Sequence, residues 1–147
     1  SIDIPPANIR MFIPQIQQRV IIGEEEYVDE IKRLDKEIEE IPSGYQQPTD
    51  EEISHKGSKF DALTVYAHFF NYSIDWHVLS WDRENGIINS YMIGQGKDHF
   101  ISSLGDTFLN DLTTAKTIEM DFYWERQSLA QALYDKYPED FPKPSGK

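Results

Sequence analysis

"LTVYAHFFNYSIDWHVLSWDRENGIINSYMI", residues 63–93, decides the fold. β-Branched and aromatic residues fill three short runs, "LTVYAHFF", "WHVLSW" and "IINSYMI", each bounded by turn residues. Such side chains suit a pleated, half-buried surface, so each run is expected to be a strand. "NYSID" turns the chain between the first two. "DRENG" closes a hairpin between the second and third, with Gly86 free to take a positive φ.

Downstream, "GQGKDH" reads as a turn and "FISSLG" as a shorter strand. "DTFLNDL" reads as one helical turn capped by Asp106 or Thr107. The run Thr117–Trp124 alternates, with Ile118, Met120, Phe122 and Trp124 on one face and Glu119, Asp121 and Tyr123 on the other. "SLAQALYDKY" closes the pattern as a helix with Ser128 as its N-cap, and the Pro-rich stretch 138–147 is expected to be a flexible tail.

Upstream, the character changes. "PANIRMFIPQIQQRVII" predicts a short helix interrupted by Pro14. "EEEYVDEIKRLDKEIEEI" is helical by its spacing, because Tyr27, Ile31, Leu34, Ile38 and Ile41 draw one narrow apolar stripe. Gly23 precedes this helix, and Pro42 and Gly44 stop it. The stripe spans under three heptads, so it is expected to pack on the protein's own sheet rather than in a coiled coil. Thr49 and Glu52 have capping-box spacing in the polar connector that follows. The expected architecture is α+β: an antiparallel sheet of about five strands in a meander, flanked by N-terminal helices and a C-terminal helix. One domain is expected over 1–147, with a helical acidic region at 1–52 and the sheet plus C-terminal helix at 60–137.

The chain has 147 residues, no cysteine, and a net charge of -12. Disulfides and thiolate zinc sites are therefore excluded. No apolar run is long enough to span a membrane and the first ten residues show no signal-peptide pattern, so a cytoplasmic protein is the default expectation. The acidity repels phosphate backbones, which disfavours direct nucleic-acid binding and favours a basic protein partner. It is also unevenly placed. Between Glu24 and Glu52 twelve acidic residues stand against Lys32, Arg33 and Lys36.

"AHFF", "DWHV" and "WD", "YMIG", "SLGDTFLNDL" and "IEMDFYW" follow one another in the order and spacing of a family of small bacterial proteins. Over Thr64–Ala130 the chain resembles that family, a domain of unknown function found in chromosomes, plasmids and prophages. Ser103 stands where the family pattern has an acid before Leu-Gly, and Met120 where an arginine separates the two acids. The resemblance implies a single small domain of bacterial or mobile-element origin, and brings no enzymatic activity with it.

Two functional readings follow. In the first, Glu24, Glu25, Asp29, Asp35, Glu39 and Glu40 lie off the apolar stripe and face solvent, as the partner-binding surface of a non-enzymatic interaction domain. The partner would be a basic, nucleic-acid-binding protein, in one version a restriction or CRISPR-type nuclease blocked by a mimic of nucleic-acid charge. No cofactor is expected. In the second, His68, His77, Glu119 and Asp121 meet on one face of the sheet as a metal-binding or acid–base site. The bland account of that face is half-exposed histidines with solvated carboxylates, and of Asp75 a turn cap before Trp76. No phosphate loop, nucleophile elbow or metalloprotease motif is present.

Overall fold

The computed structural model describes residues 4–21, 24–47, 60–96, 99 and 101–144. Gly23, Thr49 and Glu52 lie outside them. Helices α1 (Ala7–Arg10) and α2 (Gln15–Ile21) are separated at Pro14, and a 3-10 turn (Glu25–Tyr27) leads into α3 (Val28–Glu39). Then come β1 (Thr64–Val65), β2 (Ala67–Phe70), β3 (Ile74–Asp82), β4 (Ile87–Gly94), β5 (Ser102–Phe108), α4 (Leu109–Thr114), β6 (Glu119–Met120), β7 (Gln127–Ser128) and α5 (Leu129–Lys136).

Five strands form an antiparallel sheet in the order β5-β4-β3-β2-β6, and β1 pairs separately with β7. Strands β2 to β5 make the expected meander, while β6 crosses back to lie beside β2. The β3–β4 hairpin closes as its turn residues dictate: Gly86 has φ +67°, and Asp82 Oδ1 accepts the Asn85 N–H at 3.2 Å. The protein is thus α+β, with helices on both sides of the sheet.

Each sheet face has its own core. The stripe Ile31, Leu34, Ile38 and Ile41 packs with Ile9 and Phe12 against Ala67, Phe69, Trp76, Val78, Trp81 and Met120. Leu129, Ala130 and Leu133 of α5 pack on the other face with Val65, Leu79, Tyr91 and Ile93. Trp124 is half-buried against both clusters. The N-terminal helices therefore share a core with the sheet, as the narrow stripe of α3 requires.

Simple alternation along β3 would put Trp81 with His77 and Leu79, opposite Trp76. The structure corrects this. A bulge between Val78 and Ser80 leaves Leu79 as an extra residue, so Ser80 faces Asn89 and Trp81 faces Ile88. Trp76 and Trp81, five positions apart, consequently join the same core.

Three polar side chains complete the backbone pairing. The Gln17 amide donates to Met120 O (3.1 Å) and accepts from Met120 N–H (2.7 Å), standing in for a neighbouring strand at the edge of β6. Gln46 does the same for β1, donating to Thr64 O and Leu79 O and accepting from Thr64 N–H. Arg83 donates to Ile38 O, Glu39 O and Ile41 O, capping the last carbonyls of α3, where acidic side chains oppose the helix dipole.

Other expectations change. The Thr117–Trp124 strand is only Glu119–Met120 long, because Asp121 turns the chain: its Oδ1 accepts the Tyr123 N–H at 2.9 Å. Asp106 and Thr107 belong to β5 and cap no helix. Asp106 instead accepts from Tyr45 (2.6 Å) and Asn89 (3.1 Å). Ser128 is the N-cap expected, accepting Gln131 N–H at 3.0 Å. Part of the stretch expected as a flexible tail is packed: Phe141 is 2 % exposed against α5, and Asp140 pairs with His99.

The facing of Ile118, Met120 and Phe122 survives the loss of the strand. Phe122 is 6 % exposed and meets Tyr27 edge-on, while Tyr123 is 60 % exposed. Phe122→Ala is expected to remove about 3–5 kcal/mol, and Tyr123→Ala well under half of that. Urea unfolding of the two variants checks the order, and equal losses would show the facing to be wrong.

Candidate functional site

The site lies on the α5 side of the sheet, where β2 and β3 bring two histidines together. His68 and His77 are directly opposed across the strands, and their rings stack 5.2 Å apart. Neither is half-exposed, as solvated strand histidines would be: His68 is 8 % and His77 3 % exposed. Trp124 closes over both rings, at 5.1 and 6.1 Å, held by its indole N–H donating to Val65 O at 3.1 Å.

At the centre is Asp75, fully buried. Its Oδ1 receives His68 Nε2–H at 2.8 Å, Lys136 Nζ reaches both oxygens at 2.9 and 2.8 Å, and Tyr137 OH donates to Oδ2 at 2.8 Å. Asp75 is therefore no turn cap. That role belongs to Asn71, whose Oδ1 accepts from both Ser73 and Ile74 N–H at 2.8 Å. A buried carboxylate with three donors is held ionised. Burial pushes its pKa up, but the bonds from His68, Lys136 and Tyr137 outweigh this and hold it well below the usual carboxylate range.

His68 has a second neighbour. Its Nδ1 is buried, has no hydrogen-bond partner, and lies 3.6 Å from Asp121 Oδ2. Burial pushes its pKa down, but the carboxylates of Asp121 and Asp75 more than offset this and hold it above the ordinary imidazole value. His77 is driven the other way, to about 3, by complete burial and by the adjacent His68. Its Nδ1 lies 3.3 Å from Tyr91 O, which fits a neutral ring with that nitrogen protonated. One imidazole is thus poised to titrate while its neighbour stays neutral.

Beside these groups opens a cleft of about 430 Å³, lined by His68, His77, Asp121, Trp124, Glu125, Asp135 and Lys136 among others. A second hollow of about 460 Å³ shares His68, Asp121, Tyr123 and Lys136 and extends the groove to Tyr27, at the start of α3. Arg33 on α3 borders the groove, donating to Trp124 O at 2.8 Å and to Glu30 at 2.7 Å.

Of the four residues expected to form a polar face, His68, His77 and Asp121 come together and Glu119 does not. Glu119 pairs with Phe70 at the sheet edge and is exposed, with no hydrogen bond or ion pair to the histidines. Among the described residues no group of three or more histidine and carboxylate side chains is arranged to hold a metal ion. Asp75, Lys136 and Tyr137 were missed by sequence reasoning. The only signal for them was an acid at the start of one strand and a Lys-Tyr pair at a helix end.

On the acidic surface, Glu24, Glu25, Asp29, Glu39 and Glu40 are exposed as expected. Asp35 is the exception and corrects the solvent-facing assignment. It is half-buried, and its Oδ1 accepts Ile9 N–H at 2.9 Å, satisfying a free N–H in the first turn of α1. Glu37 and Glu40 pair with Arg126, which also lies 4.9 Å over the Tyr66 ring. Among the described residues no helix is long and apolar enough to cross a membrane. No family model, no curated protein and no solved structure matches this chain.

Proposed function

We propose that this protein is a non-enzymatic interaction module that binds a basic protein partner, including partners that themselves bind nucleic acid. The observation that carries the reading is one of continuity. The exposed acids at the start of α3 (Glu24, Glu25, Glu26 and Asp29) adjoin Tyr27, which lines the groove leading to Asp121. The groove continues to Glu125 and Asp135. Charge and concavity thus meet on one side of the molecule, the arrangement that steers a cationic partner and then seats it. The helix beneath is anchored by its buried stripe, so the carboxylates are displayed on a rigid element.

The test uses association kinetics with a partner recovered from the native host. Replacing Glu24, Glu25, Asp29 and Glu39 by glutamine leaves the Asp35 cap and the Arg126 pairs intact. The variant is expected to fold normally, to associate at least about tenfold more slowly at low salt, and to show a flatter dependence of rate on ionic strength. An unchanged rate and salt slope would reduce the acidity to a solubility feature.

A second reading, a small acid–base enzyme, has one observation in its favour. Asp75 fixes the His68 tautomer by taking Nε2–H, leaving Nδ1 as the basic nitrogen beside a cleft. Among the described residues the lining contains no Ser, Thr or Cys to serve as nucleophile.

A further inference from the structure

We infer that the cleft between Asp121, Trp124 and α5 is a binding site for a single organic cation, a guanidinium or primary ammonium group such as an arginine or lysine side chain. This deepens the partner reading above and rests on it for the source of the cation.

The argument starts from a mismatch. Neutral His68 gives its Nε2–H to Asp75, so its Nδ1 carries a lone pair. That lone pair faces the Asp121 carboxylate, an acceptor facing an acceptor, at 3.6 Å and with no donor between them. An unsatisfied buried acceptor is costly, and two facing acceptors call for a donor with positive charge. A proton on Nδ1 is one solution. The N–H of a bound cation reaching Asp121 is the other, since the Asp121 side chain is 32 % exposed and lines the cleft.

The surroundings favour the second once His68 is neutral. Lys136 is occupied by Asp75, and Arg33 by Glu30 and the Trp124 carbonyl. Glu125 and Asp135 at the mouth are exposed and have no ion-pair partner among the described residues. The cleft therefore carries surplus negative charge. Trp124, fixed by its bond to Val65 O, supplies an aromatic wall of the kind that attracts guanidinium and ammonium groups. The volume of about 430 Å³ accommodates one such side chain.

The His68 proton and the cation compete for the same carboxylate, that of Asp121. The groups facing His68 are Asp75 and His77 from β3, Asp121, Trp124, and Lys136 with Tyr137 from the end of α5. Of these, His77 stays neutral and Asp75 ionised at neutral pH. His68 is thus the group that changes charge, and acidification should expel the cation.

The full-length protein would be titrated with ethylguanidinium and butylammonium chlorides, and with neutral N-ethylurea at matched concentration. Imidazole nitrogen and indole NMR signals are read at pH 8 and pH 5.5. Saturable shifts of the His68 and Trp124 signals are expected with the cations and not with the urea, weakening at least several-fold at the lower pH. Asp121→Asn, checked for a native amide spectrum, should weaken cation binding roughly tenfold or more, the worth of a charge-assisted hydrogen bond. Glu84→Gln, at an exposed acid of the β3–β4 turn, should leave it unchanged. Equal shifts from urea and cation, no saturation, or full affinity in Asp121→Asn would each overturn the site. If small cations fail to bind while the glutamine-substituted helix still slows partner association, the partner reading stands and this site falls. If the cations bind and association is unaffected by the helix charges, the reverse holds.

Discussion

Asp75→Asn is expected to destabilise the fold by about 3–5 kcal/mol, the usual consequence of removing one member of a buried ionic cluster. The carboxylate is fully buried and takes bonds from His68, Lys136 and Tyr137, which come from β2 and from the end of α5. Asparagine offers one acceptor oxygen where the carboxylate offered two, and its amide N–H2 meets a donor, so His68 Nε2–H or the Tyr137 hydroxyl loses its partner and Lys136 its counter-charge. Lys136→Met should be milder, because Lys136 is 42 % exposed and Asp75 keeps its other two donors. The effect also has a pH signature. The folded pKa of Asp75 lies below its unfolded value, so its contribution is complete above the ordinary carboxylate range and is lost as pH falls through that range toward the folded value. The gap between wild type and Asp75→Asn should therefore narrow below about pH 4. Urea unfolding at pH 7 and pH 3.5 measures both quantities. A loss under about 1 kcal/mol at pH 7 would mean that the cluster does not hold α5 to the sheet.

Phe12→Ala is expected to cost a further-reaching 3–5 kcal/mol, about the loss typical of a large aromatic removed from a core. Phe12 is fully buried between α1 and α2, 5.9 Å from the Phe69 ring in a stacked arrangement and 4.9 Å from Trp81 edge-on. Its removal opens a cavity between the N-terminal helices and the sheet. Adjacent Met11, 55 % exposed, should tolerate alanine within about 0.5 kcal/mol. The informative readout is thermal unfolding followed at once by far-UV and tryptophan signals. A single shifted transition is expected. A tryptophan transition left at its wild-type temperature would show that the acidic third of the chain folds apart from the sheet.

The strands from Ala67 to Gly94 were legible because composition and turn chemistry agree there: "DRENG" can hardly do anything but close a hairpin, and Gly86 takes the φ it was assigned. The stripe of α3 was legible for the same reason, one periodicity sustained over a twelve-residue helix. What the sequence hid was non-local. Alternation from Thr117 to Trp124 suggested a long strand, yet a two-residue contact from Asp121 to the Tyr123 N–H ends it. Asp35 looked like one more solvent-facing acid until α1 was placed above it, 26 residues away in the chain. Gln17 sits in a run of polar residues with nothing to mark it, and its role depends on Met120, 103 residues on. The site divides likewise. His68 and His77 were paired correctly from strand parity, whereas Lys136 and Tyr137 reach Asp75 only through the docking of α5.

The extra residue in β3 bears on which genetic changes this protein tolerates. Leu79 offsets the pleat by one, and only with that offset do Trp76 and Trp81 point into the same core. Substitution at Leu79 trims one side chain and leaves the phase intact. An in-frame loss of the Leu79 codon would remove the bulge and leave Trp76 and Trp81 four positions apart, on one face by regular alternation, at the cost of the Leu79 side chain in the α5 core. Among descendants of this sequence, variation in length should therefore collect in the turns, and within the nine-residue span of β3 it should be confined to the bulge, where a residue can be lost without moving either tryptophan to the other face.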